Sequence, residues 1–312
     1  MSEGQASAQV RFFTVEEESA GQRVDNFLAA RLKGVPRSHI YRILRRGEVR
    51  VNRGRIRPDY RLQVGDQVRV PPLRLAERPP AAAPGRALRR LLEEAVLYED
   101  RDLLVVDKPA GLAVHGGSGV SLGLIEALRA ARDEPGLELV HRLDRETSGC
   151  LLVARRRAAL RHLQRELRER RVEKVYLALV EGSWPRGLEE VSAPLERILV
   201  GEGERRVRPS RAGKAALTRF RVRRRLPEAT LVEAQLETGR THQIRVHCRI
   251  AGCPILGDEK YGRAAVNRAW RERGLRRLFL HAARLAFELP GEGGRLEVES
   301  PLPADLREVL SP

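Results

Sequence analysis

Between Pro71 and Arg89 the chain reads PPLRLAERPPAAAPGRALR, and this segment limits what the rest can become. Proline fixes φ and lacks an N–H, so a proline-rich stretch cannot run on as a central strand or a helix interior. Alanine and arginine around it offer little to a core. Residues 73–90 are therefore read as a semi-rigid linker. It separates a small unit over residues 10–72 from a large one over residues 91–312, and residues 1–9 show no periodicity and are expected to be disordered.

The small unit carries two helical patterns. Val24, Phe27, Leu28 and Leu32 recur at helical spacing, and Ile40, Ile43 and Leu44 mark a second helix that starts after Pro36 and ends at Gly47. The second helix and the turn after it carry Arg37, Arg42, Arg45 and Arg46. Val49-Arg50-Val51, a turn at Asn52-Arg53-Gly54 and a closing strand Gln67–Val70 complete a compact basic module, the form expected of an RNA-binding domain.

The large unit is expected to be α+β, built on a mixed, mainly antiparallel sheet. Strands are read at Leu103–Val106, Cys150–Ala154, Lys174–Val180, Thr218–Val222, Thr230–Leu236 and Leu278–Leu289. Helices are read at Ala158–Arg170 and Thr241–Ala251. The charged tail after Pro290 carries no readable function.

Charge narrows the partner. The net charge of +17 and a pI near 10.9 point to a polyanion, and nucleic acid is the first candidate. Of the basic residues only Lys33, Lys108, Lys174, Lys214 and Lys260 are lysine, so the sign of the charge carries more weight than its size. Cys150, Cys248 and Cys253 form no dense framework, which fits a reducing cytoplasm. No stretch approaches the roughly 20 apolar residues of a membrane span, and the start of the chain lacks a signal-peptide pattern. A cytoplasmic monomer that touches no membrane is expected.

The stretch His141-Arg142-Leu143-Asp144-Arg145-Glu146-Thr147-Ser148-Gly149-Cys150 sets one short carboxylate among potential cations in a turn that leads into an apolar run. A carboxylate beside guanidinium groups stays ionised at neutral pH, which suits a nucleophile and not a general acid. Read alone, Asp144 is as readily a turn cap or a surface ion-pair partner. His242, His247, Cys248 and Cys253 are close in sequence and raise the possibility of zinc. The CxxC pairs of structural sites are absent and His242 and Cys248 do not share a helical face, so no metal is assigned.

That stretch resembles the catalytic motif of the RluA-type pseudouridine synthases. Three further islands resemble the family in its own order: VDKPAGL from Val106 with Val114-His115, RVEKVYLA from Arg171, and LETGRTHQIRVH from Leu236 with Gly257-Asp258 and Tyr261-Gly262 downstream. His281-Ala282-Ala283-Arg284-Leu285 is similar to the family's closing strand. The small unit resembles an S4 domain through RVDNFLAARL, PRSHIYRILRRGEVRVN and LQVGDQVRVP. Together these cover roughly residues 10 to 290.

The resemblance implies a pseudouridine synthase fold behind an S4 RNA-binding domain. It implies an isomerisation that breaks the glycosidic C–N bond of a uridine and rejoins the base through carbon, with no cofactor. In that reading Asp144 acts on the sugar carbon, by attack or by assisting elimination, and Arg240 forms the ion pair that keeps Asp144 ionised. Tyr176 stacks on the target base, and Lys174 on the same side of its strand contacts phosphate or a carboxylate. Arg142 enters the space the extruded base vacates, while His141 shapes the turn. LKGVPRSHIYRILRRGEVRVN, VHGGSG and DEPGLELVHRLDRETSG are similar to a branch that modifies uridines of 23S ribosomal RNA. The implied partner is that RNA, free or in a large-subunit assembly intermediate. A sister enzyme acting on other 23S uridines, and a non-catalytic S4-type ribosome-assembly factor, are the competing readings.

Overall fold

The computed structural model describes residues 9–32, 35–73, 84–116, 122–201, 204–291 and 293–311, without the side chains of Glu18, Arg37 and Ser38. The chain forms two compact units, Met1–Pro80 and Ala81–Pro312. The expected disordered start lies, but for residue 9, outside the described residues, as do linker residues 74–83 and positions 117–119 of the VHGGSG loop.

In the small unit, strand β1 (Arg11–Thr14) precedes helices α1 (Val24–Arg31) and α2 (Arg37–Arg45), then strands β2 (Arg50–Val51), β3 (Gly54–Arg55) and β4 (Gln67–Val70). The sheet order is β1-β4-β2-β3, antiparallel throughout. Asn52 and Arg53 both take positive φ, at 49° and 65°, which is the two-residue turn that matches the twist of a hairpin. Phe27, Leu28, Ile40, Ile43 and Leu44 bury the inner faces of the two helices. Gly47, at φ +67°, ends the arginine-bearing helix. Tyr41 of α2 donates to Asp25 of α1 at 2.6 Å, and Arg23 and Tyr41 hold that carboxyl down at about 2.

The large unit opens with α3 (Arg86–Glu94), β5 (Val96–Glu99), β6 (Leu103–Lys108), α4 (Leu124–Arg132), β7 (Glu138–Leu139) and β8 (Ser148–Ala154). There follow α5 (Arg157–Arg168), β9 (Glu173–Glu181), β10 (Glu190–Ser192), a hairpin β11 (Leu195–Val200) and β12 (Glu204–Pro209), then β13 (Leu217–Arg225) and β14 (Ala229–Leu236). It closes with α6 (Gln243–Ile250), α7 (Ala264–Glu272), β15 (Leu280–Glu288), β16 (Arg295–Glu299) and α8 (Ala304–Val309). The main sheet runs β10-β13-β14-β9-β15-β8-β6-β5, with β16 added to β15 and β7 to β8. Its pairings are antiparallel except for β15 on β8. The expected mixed, mainly antiparallel sheet is the one observed.

Both faces at the centre of this sheet are covered, and β8 is buried from end to end. Leu104, Val106, Leu151 and Val153 enter one core, and Leu103, Val105, Cys150 and Leu152 the other. Gly149 sits at the parallel junction with φ +107°, and a Cβ there would stand 2.2 Å from the Ala282 carbonyl oxygen.

One expectation needs correction. The linker does not extend to residue 90, because Arg86–Glu94 is helical, with Leu92 buried and the helix packed on α4. The tail after Pro290, for which no function is read, adds a strand and a helix to the large unit. Strand β16 pairs with β15, and Leu306 of α8 is fully buried.

Candidate active site

Asp144 lies in a turn just before β8, where Thr147 N–H returns to its carbonyl at 3.2 Å. The neighbours Leu143 and Thr147 are buried and anchor the turn, leaving the Asp144 side chain 20% exposed at a cleft of about 510 Å³. Below the turn, Lys108 is fully buried and its Nζ donates to the carbonyls of Pro109, Leu112 and Arg145 at 2.7, 2.8 and 3.0 Å. Burial pushes the Lys108 pKa down to about 8, against the pull of Glu146 and Asp144. His141 accepts the Leu152 N–H on Nε2 at 3.1 Å, and burial holds its pKa down at about 4. At the far end Ser148 Oγ lies 3.0 Å from His281 Nδ1 and accepts from Arg277 at 3.2 Å. The carboxylate thus sits on a turn fixed from both sides.

The opposite wall comes from the end of β14 and the start of α6. Gln243 is buried and saturates its amide. Its Oε1 accepts from Thr238 Oγ1 and the Arg240 N–H, and its Nε2 donates to the Leu217 carbonyl and Thr218 Oγ1, all at 2.8–3.0 Å. His242 takes a left-handed conformation (φ 52°, ψ 21°), so the helix begins at Gln243 rather than at Thr241. This reversal decides which arginine faces in.

Arg240, before the reversal, is exposed on the cleft rim and donates from Nε to the Ala215 carbonyl at 3.1 Å. The ion pair expected of Arg240 is made by Arg245, in the first turn of α6. Its Nη1 lies 3.4 Å from Asp144 Oδ2, while Nε and Nη2 fork onto Asp258 at 2.7 Å each. The Arg245 side chain is only 7% exposed, and the two carboxylates raise its pKa against desolvation. The missed signal was an arginine inside the buried run Gln243–Cys248, where an unpaired charge is too costly and a carboxylate partner is required.

The remaining residues are placed by β9 and the turn. Tyr176 is buried between Ala234 and Ala282 on the neighbouring strands, and its ring lines the cleft. Desolvation first, and the nearby Asp144 charge second, hold its pKa well above the ordinary tyrosine value, so the phenol stays protonated. Lys174 lines the same cleft, its pKa lowered by burial. Arg142 is exposed at the mouth. The cleft therefore brings Asp144, Tyr176, Lys174, Arg142 and Arg245 together, with Arg240 at the rim. In the small unit Arg42, Arg45 and Arg46 are exposed on or just after α2, and the Arg37 side chain lies outside the description. Among the described residues no three His, Cys, Asp or Glu side chains converge as a metal site.

A carboxylate paired with a buried guanidinium, beside a protonated phenol and under a rim of cations, suits attack on a sugar of a polyanion. The family model described as RNA pseudouridylate synthase matches residues 102–249, and that of the S4 domain matches residues 22–68. Ribosomal large subunit pseudouridine synthase C of Pasteurella multocida (strain Pm70) is 53% identical over 303 residues, which cover 96% of this chain and 93% of the relative. The protein of that name from Escherichia coli (strain K12) is 52% identical over 305 residues, 96% of each chain. Among solved structures, human RNA Pseudouridylate Synthase Domain Containing 4 matches with a TM-score of 0.58 at 29% identity, covering 72% of this chain and 94% of that one. The cleft falls largely within the matched residues, and the chain belongs to the RNA pseudouridylate synthase family, with an S4 domain ahead of its synthase domain.

Proposed function

We propose that the protein converts specific uridines of large-subunit (23S) ribosomal RNA to pseudouridine, with Asp144 as the acting carboxylate. The observation that carries this is the Asp144–Arg245 pair at the floor of a cationic cleft. Relatives that match this chain over nearly its whole length are named for the large ribosomal subunit, and this supports the choice of RNA.

In the reaction the C1′–N1 bond breaks, C1′ bonds to C5 of the same base, the C5 hydrogen leaves as a proton and N1 takes one up. Nothing is oxidised and no group is donated. Asp144, paired with Arg245, attacks the electron-poor sugar carbon or assists elimination at it while the freed base turns. Tyr176 stacks on that base, and its protonated hydroxyl lets it donate a hydrogen bond rather than abstract a proton. Extruding a stacked uridine costs a few kcal/mol, and Arg142 at the mouth offsets this by filling the vacated place with a guanidinium plane. Lys174 and Arg240 hold flanking phosphates. Arg37, Arg42, Arg45 and Arg46 give the S4 domain its grip, which is electrostatic and indifferent to base sequence.

The protein acts as a cytoplasmic monomer on RNA that is free or in an assembly intermediate. Mapping pseudouridines across 23S RNA from a strain lacking the protein tests the substrate. Specific sites should be lost and should return with the wild-type gene. An unchanged map would overturn the assignment.

A further inference from the structure

Tyr261 touches both of the donors that face Asp144. The Arg245 guanidinium carbon lies 5.1 Å from the centroid of its ring, and its hydroxyl lies 2.7 Å from His242 Nδ1. The same hydroxyl accepts the Val207 N–H of strand β12 at 2.9 Å. A phenol has one proton to give, and a backbone N–H can only donate. The Val207 bond therefore uses an oxygen lone pair and leaves the proton free. Among the described residues the acceptor it reaches is His242 Nδ1. With Nδ1 accepting, the neutral ring carries its hydrogen on Nε2, and Nε2 lies 3.8 Å from Asp144 Oδ2.

Three observations support a role for this arrangement. Burial lowers the His242 pKa, although the Asp144 carboxylate pulls the other way, with Arg245, Lys260 and Asp258 as the other charges acting on the ring, so the ring is neutral at physiological pH. His242 also holds a left-handed backbone conformation that glycine or asparagine would tolerate more easily. Both Arg245 and His242 address Oδ2, and among the described residues no donor sits on Oδ1.

We propose that Tyr261 locks His242 in its Nε2–H tautomer, so that His242 joins Arg245 as a second donor positioning the Asp144 carboxylate through Oδ2 and leaving Oδ1 free to act on the ribose. This rests on the reading of Asp144 as the acting carboxylate. The contacts of 3.4 and 3.8 Å are longer than settled hydrogen bonds, as catalytic contacts often are before substrate closes the site. His242 and Tyr261 are positioning residues, and Tyr261 acts through His242.

The test uses the full chain and large-subunit RNA transcripts carrying 5-tritiated uridine, with tritium release as the rate. In His242→Asn the side chain bonds to Tyr261 and suits the backbone, but it is too short to reach Asp144. In His242→Gln an N–H can stand where Nε2 stood. The lock predicts that Asn lowers kcat about 100-fold, the scale for removing one preorganised donor, with KM unchanged. It predicts that Gln recovers most of that loss, and that Tyr261→Phe falls between wild type and His242→Asn. A purely structural His242 predicts the reverse order, and Asn at or above Gln overturns the proposal. In the 15N spectrum of histidine-labelled protein, the signals absent from His242→Asn should show a pyridine-type Nδ1 and a pyrrole-type Nε2, and they should move toward a tautomer mixture in Tyr261→Phe. The opposite tautomer in wild type overturns the lock. If Asp144→Asn is inactive while His242→Asn turns over normally, the carboxylate reading stands and the lock alone fails. Normal turnover by Asp144→Asn overturns both.

Discussion

The Arg245 guanidinium lies 3.4 Å from the Asp144 carboxylate across 101 residues of sequence, and the fork it forms on Asp258 aims it there. A lysine at 245 cannot hold two carboxylates in one plane. Arg245→Lys should lower kcat about 100-fold. Arg240→Ala should instead raise KM more than it lowers kcat, because Arg240 sits on the rim. Steady-state tritium release separates the two, and equal kcat losses would return the ion pair to Arg240.

Lys108 holds three carbonyls beneath the turn that carries Asp144 from a fully buried position. Lys108→Met keeps much of the volume and strands those acceptors. A loss of about 3 kcal/mol from the large unit is expected in urea unfolding. An unchanged midpoint would show that the turn holds itself.

His141 makes the turn sensitive to acid. Its pKa is about 4 in the fold, against an ordinary value of 6.5, so below about pH 6.5 the unfolded chain binds the proton more readily. The contribution is complete above pH 6.5 and is lost as pH falls from 6.5 to 4. His141→Gln can still accept the Leu152 N–H and does not titrate. Between pH 7 and pH 5 the Tm of wild type should fall further than that of His141→Gln. His247 and His281 are shifted in the same direction, so the difference between the two proteins is the readout. Parallel curves would contradict the assignment.

The S4 arginines predict a salt signature. Replacing Arg42, Arg45 and Arg46 together with alanine should weaken RNA binding and reduce the slope of log K against log salt by about two to three. Catalysis at saturating RNA should change little. An unaltered slope would place the RNA grip elsewhere.

Much of this architecture is visible in the sequence, because buried strands leave apolar runs. Strands β6, β8, β9, β13, β14 and β15 were all expected within a few residues of their ends, and β4 at its observed bounds. Strand β12 could not be read that way. It is Glu204–Pro209, and Val207 is its one buried residue. Helix α3 was hidden by the proline-rich stretch before it, and α8 is too short to show a period. The parallel junction at Gly149 and Ala282 depends on packing between distant segments, and no local pattern announces it. The site divides in the same way. Asp144 and Tyr176 stand inside motifs, but the choice between Arg240 and Arg245 turns on one left-handed residue, His242, that periodicity does not show.

We propose that the Asp144 carboxylate performs the chemistry, and Asp144→Asn preserves the size of the side chain while removing its charge. Tritium release from 5-tritiated uridine in large-subunit RNA should proceed with wild type and be undetectable with Asp144→Asn, although the variant binds the RNA with wild-type affinity. Equal release by the two proteins would contradict the account.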